Sequence, residues 1–357
     1  MTARVSVAVL GATGAVGQTF VRLLDRHPYF RIAEVGASPR SVGRSYREAA
    51  TWREGELSDE IGELQVRACD PGAIRSRIVF SALDAEAALD VERCFAESGA
   101  IVLSNAKSYR MEPDVPLVIP EVNPGHLALL ELQRERRGWS GGIVTNANCA
   151  VTVVAMALAP LHERFGVSTV FATTLQALSG AGYPGVSALD ASSNIVPHIG
   201  GEEEKIEEEL GKLLGTVGSD GAAHAGMVVS AHANRVPVVH GHTACLSVGF
   251  ETEPSVEEVR AVLAEWRGAE VSRGLPTSPP DVSVLRAEAD RPQPRRDADT
   301  GSGMSLVIGR VRPDPVLDVR LVAMAHNTVR GAAGGSVLNA EVMGRLGLLP
   351  DVEEGSW

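Results

Sequence analysis

Apolar residues fall in short runs near the start of the chain and in longer runs later, and the two textures predict two kinds of sheet. Val5 to Leu10 is an apolar run that stops at Gly11; Val16, Phe20, Leu23 and Leu24 then recur at helical spacing between Ala15 and His27. The order is strand, glycine turn, helix. Further short strands are predicted at Arg31 to Gly36, Ile78 to Ser81 and Ile101 to Leu103, with a helix over Ala85 to Ser98. Alternating strands and helices imply a doubly wound parallel sheet, a Rossmann-type α/β architecture.

After about Asn146 the pattern changes. A helix from Cys149 to Arg164 precedes β-rich runs at Ser168 to Leu175, Met227 to Val239 and Thr243 to Thr252, which predict a second, α+β domain. The stretch Asp290 to Met304 is polar and aperiodic, and reads as a surface loop. A final helix over about Gly331 to Leu346 is expected to pack back on the first domain. The expected division is 1–147, completed by 330–357, and 148–329.

A chain of 357 residues exceeds what one compact core usually holds, so two domains with a cleft between them fit its length. The net charge of -12 argues against a nucleic-acid surface but leaves room for a local basic pocket. No run of about 18 apolar residues occurs, and the start lacks a leader pattern, so a cytoplasmic protein with no membrane partner is expected. Cys69, Cys94, Cys149 and Cys245 are scattered without CxxC spacing, which suggests neither a metal site nor a disulfide framework.

Gly11, Gly14 and Gly17 in GATGAVG lie between a strand and a helix, where small residues allow phosphate oxygens to approach backbone N–H groups at a helix N-terminus. An acidic residue after the second strand would repel a 2′-phosphate. GASPRSVGR offers instead Ser38, Arg40, Ser41 and Arg44, which favours NADP(H) over NAD. The cofactor set expected on this basis is Gly11, Thr13, Gly14, Ala15, Val16, Ser38, Arg40, Ser41 and Ser81.

Cys149, in VTNANCAVTVV, falls at the start of an apolar helix, a position that favours thiolate and marks a nucleophile. The other three cysteines read as buried and inert. Asn148 beside it is either an oxyanion donor or a helix cap. Nine histidines compete as base; His240 and His242, two apart in a strand-like run, would share a face unless Gly241 introduces a bulge.

GATGAVGQ, SPRSVGR, SNAKSYRM, NANC, LQALSGAGYPG, GGEEEK, NRVPVVHGHT and HNTVRGAAGG together resemble, in the same order, the motifs of aspartate-semialdehyde dehydrogenases, particularly the archaeal and fungal branch. The resemblance covers nearly the whole chain. It implies Cys149 as nucleophile, His242 rather than His240 as acid/base, and Arg235 as clamp for a substrate α-carboxylate. It further implies that Glu202 meets the substrate amino group, that Lys205 and Arg110 contribute to a phosphate site, and that Asn148 contacts phosphate or oxyanion. Gln176 would position the acyl group, Asn327 would hold the nicotinamide carboxamide, and Ser179, Gly180 and Gly182 would line the ring. Ala150 and Lys107 depart from the family's usual residues without removing a catalytic group.

The implied reaction is NADPH-dependent reductive dephosphorylation of L-4-aspartyl phosphate to L-aspartate 4-semialdehyde through a Cys149 thioester, in the biosynthesis of lysine, threonine and methionine. The first domain would then bind NADP and the second serve catalysis and dimerisation, in a homodimer or homotetramer. A malonyl-CoA reductase, an N-acetyl-glutamyl-phosphate reductase and a non-catalytic NADP-binding protein are the alternatives. Glu202 argues against the first two, because a CoA thioester or an acylated amine has no ammonium for it to meet; the persistence of nucleophile, base and substrate clamp together argues against the third.

Overall fold

The computed structural model describes residues 4–352; the last five residues of the expected 330–357 segment and the first three of 1–147 lie outside it. The first sheet contains β1 (Val5–Leu10), β2 (Phe30–Ala37), β3 (Val66–Ala68), β4 (Ile78–Ser81), β5 (Ile101–Ser104), β6 (Leu117–Val118) and β7 (Gly142–Asn146). Its order is β3-β2-β1-β4-β5-β7-β6, and every pair is parallel. Strands buried on both faces read as continuous apolar runs, which is why IVFS and IVL carry no alternation. The chain leaves β1 toward β2 on one side and returns to β4 on the other, opening a crevice at the carboxyl ends of β1 and β4.

The longer helices are α1 (Ala15–Leu24), α2 (Ala85–Glu97), α3 (Leu129–Arg137), α4 (Cys149–Phe165), α5 (Glu202–Leu213), α6 (Val256–Glu265) and α7 (Gly334–Arg345). The second sheet is mixed: β8 (Val167–Gln176), β11 (Val228–Arg235), β12 (His242–Phe250), β13 (Ser283–Leu285), β14 (Leu306–Pro313) and β15 (Val319–Ala325), in the order β11-β8-β12-β15-β14-β13. A small hairpin, β9 (Thr216–Gly218) with β10 (Gly221–Ala223), stands apart. The apolar α4 packs beneath the second sheet, where Val154, Met156, Leu158 and Leu161 join Val170, Leu246 and Leu321 in one cluster. The apolar face of α7 joins the core of the first sheet: Val337, Leu338 and Met343 cluster with Val7, Val9 and Phe80.

Register brings functional positions to one end of the second sheet. Arg235 pairs with Gln176 in parallel, Thr243 opposes Leu175, and His242 opposes Ala325. Cys149 arrives there because β7 ends at Asn146 and α4 begins three residues later.

Two local expectations fail. The 290–304 stretch is no simple surface loop: it carries a helical turn at Pro294–Asp297, and Asp297 is buried, receiving Arg291 and Arg286. A buried carboxylate satisfied by two guanidiniums explains how so polar a segment folds inward. The closing helix is preceded by a π-helical turn, Val329–Ala333, so the regular helix begins only at Gly334.

Candidate active site

Cys149 is the first residue of α4, and Asn148 is its N-cap. The Asn148 side-chain oxygen accepts from Ala150 N–H at 2.9 Å and Val151 N–H at 3.2 Å, leaving the N–H of Cys149 uncapped and available to an oxyanion. Of the two alternatives for Asn148 the geometry carries the cap: its oxygen caps the helix, while its amide nitrogen is engaged by Glu202 at 3.0 and 3.1 Å.

One cavity of about 440 Å³ has Cys149, Asn148, Gln176, Arg110, Glu202, Lys205, Arg235 and Gly180 on its wall. Glu202 is its organising group, receiving Lys205, the Asn148 amide and the Gln176 amide. Arg235 is held by Ala177 O at 2.7 Å, with Gly180 packed against it. The same wall includes Asn105 and the exposed Lys107, so this lysine adds a further cation beside Arg110 and Lys205.

His242 lies behind Gly180, off the cavity wall. A Cβ on Gly180 would stand 2.9 Å from both His242 Nε2 and Arg235 Nη1, so only glycine lets these side chains approach the site. The Nδ1 of His242 accepts from Ala177 N–H at 3.0 Å, which leaves the proton of the neutral ring on the otherwise unpartnered Nε2. Burial, reinforced by Arg235, pushes His242 down to about 3. It is neutral at physiological pH.

The expected shared face of His240 and His242 does not form. Gly241 has φ +98°, β12 begins only at His242, and His240 turns outward to stack on His326. Asn327 bridges the same region, accepting from Gly241 N–H at 2.9 Å and donating to Ser179 Oγ at 2.8 Å. Ser179 and Gly182 belong to the turn at Leu178–Ala181 and its cap, away from the cavity wall.

Contrary to the expected thiolate bias, the Cys149 thiol is pushed up to about 12. Burial is the main cause and the Glu202 carboxylate the next, with Arg110, Ala150 N–H and Lys205 acting in the opposite sense. A helix N-terminus alone does not outweigh burial beside a carboxylate. Among the other cysteines, Cys69 and Cys94 are half-buried, but Cys245 is exposed, against expectation.

A second cavity, of about 740 Å³, opens at the crevice of the first sheet and is lined by Gly11, Thr13, Gly14, Ser38, Val42 and Leu83, among others. Gly11 has φ +69°, and a Cβ there would strike Ala82 O at 2.6 Å; a Cβ on Gly17 would fall 2.1 Å from Gly11 O. The cap residue of α1, Gly14, offers no side chain to its first N–H groups. Uncapped amides at a glycine turn are the donor set a pyrophosphate requires, so these residues fit a dinucleotide. Ala15 and Val16 open α1 beside this turn. Arg40 is exposed next to Ser38, and Ser41 is buried, its N–H on Ser38 O. Arg44 is engaged by Glu48 O. Ser81 is fully buried toward Glu92, away from the cavity.

Sequence reasoning missed Glu209. It is buried, accepts from Arg110 Nη1 at 3.0 Å and accepts the Asn148 N–H at 2.8 Å. Its only signal is spacing, seven residues after Glu202 on the same helix.

A family model described as "Semialdehyde dehydrogenase, NAD binding domain" matches residues 6–130, and one described as "Semialdehyde dehydrogenase, dimerisation domain" matches residues 158–330. The chain is 49% identical to the aspartate-semialdehyde dehydrogenase of Archaeoglobus fulgidus over 95% of its own length and 98% of that protein. It is 45% identical to that of Schizosaccharomyces pombe, covering 96% and 99% of the two chains. Among solved structures, the aspartate semialdehyde dehydrogenase of Candida albicans with NADP superposes with a TM-score of 0.87 at 42% identity, covering 95% of this chain and 98% of that one. Aspartate semialdehyde dehydrogenase II of Vibrio cholerae, complexed with ASA, has a TM-score of 0.76 at 27% identity over 96% and 99%.

Proposed function

The chain belongs to the aspartate-semialdehyde dehydrogenase family, and from that premise we propose that it reduces L-4-aspartyl phosphate to L-aspartate 4-semialdehyde with release of phosphate, in amino-acid biosynthesis. The observation that carries the reading is a single cavity with a cysteine, a carboxylate and separated cations on its wall. A substrate bearing a carboxylate, an ammonium and an acyl phosphate needs each of these groups.

Arg235 binds the substrate carboxylate as a two-pronged donor, and Glu202 takes the ammonium in exchange for the Lys205 it now holds. Lys205 and Arg110 then face the phosphate. Cys149 Sγ, as thiolate, attacks the acyl carbon; the oxyanion accepts from Cys149 N–H, and the carbon–oxygen bond to phosphate breaks, leaving a thioester. NADPH bound over the Gly11–Gly14 turn, with Ser38 and Arg40 toward its 2′-phosphate, supplies the hydride. His242 Nε2–H donates a hydrogen bond to the sulfur as the carbon–sulfur bond breaks, so the oxyanion collapses to the aldehyde and Cys149 is returned as thiolate.

The dimerisation domain and the small-molecule site make this an oligomeric enzyme of metabolism; the proposal is finer, a homodimer or homotetramer working in the cytoplasm. Among the described residues no helix is long and apolar enough to cross a membrane. Purified protein is expected to reduce NADP in the presence of aspartate semialdehyde and phosphate. Activity with malonyl-CoA alone, or with neither substrate, overturns the reading.

A further inference from the structure

Helix α5 carries two buried glutamates seven residues apart. Glu202 enters the cavity, whereas Glu209 stays beneath it, so the second has no substrate to meet. Its two carboxylate oxygens are divided between two elements of the site: Oε1 accepts from Arg110 Nη1 at 3.0 Å, and Oε2 accepts from the Asn148 backbone N–H at 2.8 Å. Arg110 comes from the turn after β5, and Asn148 from the turn after β7. No other described side chain joins the phosphate-side guanidinium directly to the residue preceding the nucleophile.

We infer that Glu209 is a positioning residue that sets Arg110, and hence the departing phosphate, in register with the Asn148–Cys149 turn. The inference rests on the proposed reading of Arg110 as a phosphate ligand. The rest of the guanidinium supports it. Nη2 is held by Asn105 O at 2.7 Å, while Nε is buried without a partner, so the fork is clamped at one end and has an unused donor left.

One turn further along α5, Lys212 reinforces the same arrangement. Its fully buried ammonium donates to the carbonyls of Arg110, Glu112 and Val115 at 2.6, 2.6 and 2.8 Å, fixing the backbone that carries Arg110. Helix α5 thus holds the arginine twice, by side chain and by main chain.

Simple electrostatics and positioning make opposite predictions. Removing a negative charge beside Arg110 should tighten phosphate binding if charge alone matters. If Glu209 acts by geometry, Glu209→Gln presents an amide N–H to one of two donors and releases either Arg110 or Asn148, weakening phosphate binding. The test is steady-state oxidation of aspartate semialdehyde with NADP and inorganic phosphate varied in turn. The expected result is a KM for phosphate raised about tenfold to a hundredfold, the loss of one hydrogen bond to a charged group. The KM values for semialdehyde and NADP should stay within about twofold, a split that general destabilisation does not produce.

Glu209→Asp serves as the second variant, and stands alone if the first does not fold. It keeps the charge but is one methylene too short to span both donors, and is expected to raise the phosphate KM as well. An unchanged or lowered phosphate KM in the variants, with an active parent enzyme, overturns the inference and leaves the proposed function standing. A parent enzyme without phosphate-dependent activity overturns both.

Discussion

Gly331→Ala should disable Cys149 without unfolding the protein. Gly331 sits in the π-helical turn Val329–Ala333, where helical backbone suits alanine as well as glycine, so only space decides the outcome. An added Cβ would stand 2.8 Å from Cys149 Cβ and 2.9 Å from its Cα. Carbon atoms in contact settle at ~3.5–4.0 Å, so one side must retreat by about 0.7 Å or more. The turn cannot easily yield, because Arg330 is locked by Glu121 through two buried bonds of 2.6 and 2.7 Å, and Gly331 N–H binds His326 O. The strain therefore falls on Cys149. A displacement near 1 Å of a reacting group costs about 100-fold in rate, so kcat should fall by about 30- to 100-fold. Overpacking at one methyl costs about 1–3 kcal/mol of stability, which leaves the enzyme folded at assay temperature. Steady-state assay of the semialdehyde reaction beside thermal melting separates the two effects. A kcat within twofold of the parent enzyme would refute the reasoning.

Three further outcomes follow from the charges and protons around the two sites. Glu202→Gln should lose activity yet alkylate faster with iodoacetamide at Cys149 near pH 7.5, because after burial the Glu202 carboxylate is the largest influence holding that thiol up near 12; an equal or slower rate contradicts the electrostatic account. Burial holds His242 down at about 3 and His326 at about 4, so below about pH 6.5 the unfolded chain binds protons that the folded one refuses. Stability should fall as pH drops from about 6.5 toward 4, by about 1.4 kcal/mol per unit for each histidine, and His242→Asn should flatten the urea-melting profile by one such share. Arg40→Ala is expected to raise the KM for NADP about tenfold while leaving that for NAD unchanged, and equal effects on both would place the 2′-phosphate elsewhere.

A resting thiol held up near 12 is at odds with a nucleophile only while the cavity lacks substrate. The Glu202 carboxylate raises the Cys149 thiol, and Glu202 is also the group proposed to meet the substrate ammonium. As that ammonium arrives, the negative charge beside the thiol is compensated, and Lys205, no longer bound to Glu202, is free to turn toward the acyl phosphate. Both changes favour thiolate.

The parallel sheet was legible because its strands are buried on both faces and its helices alternate with them; IVFS and IVL announce themselves by composition. The second sheet was legible in outline, but ends of strands were not, since Gly241 with φ +98° starts β12 at His242 and separates two histidines that spacing alone would pair. The helix after Cys149 marks that residue in the sequence, yet the direction of its pKa is not legible there: a helix N-terminus is visible in sequence, whereas the carboxylate brought beside it from α5 is a tertiary fact. The same limit hid Glu209. In GGEEEKIEEELGK every acid looks alike, and an amphipathic helix of charges is the ordinary explanation. What separates Glu202 and Glu209 from the four acids between them is that Ile206, Leu210 and Leu213 turn one face of α5 inward. Positions 202, 206, 209 and 213 recur at helical spacing, so two glutamates lie on the apolar stripe. An acid on such a stripe must be paired, and the partners it pairs with, Asn148 and Arg110, are residues of the site itself.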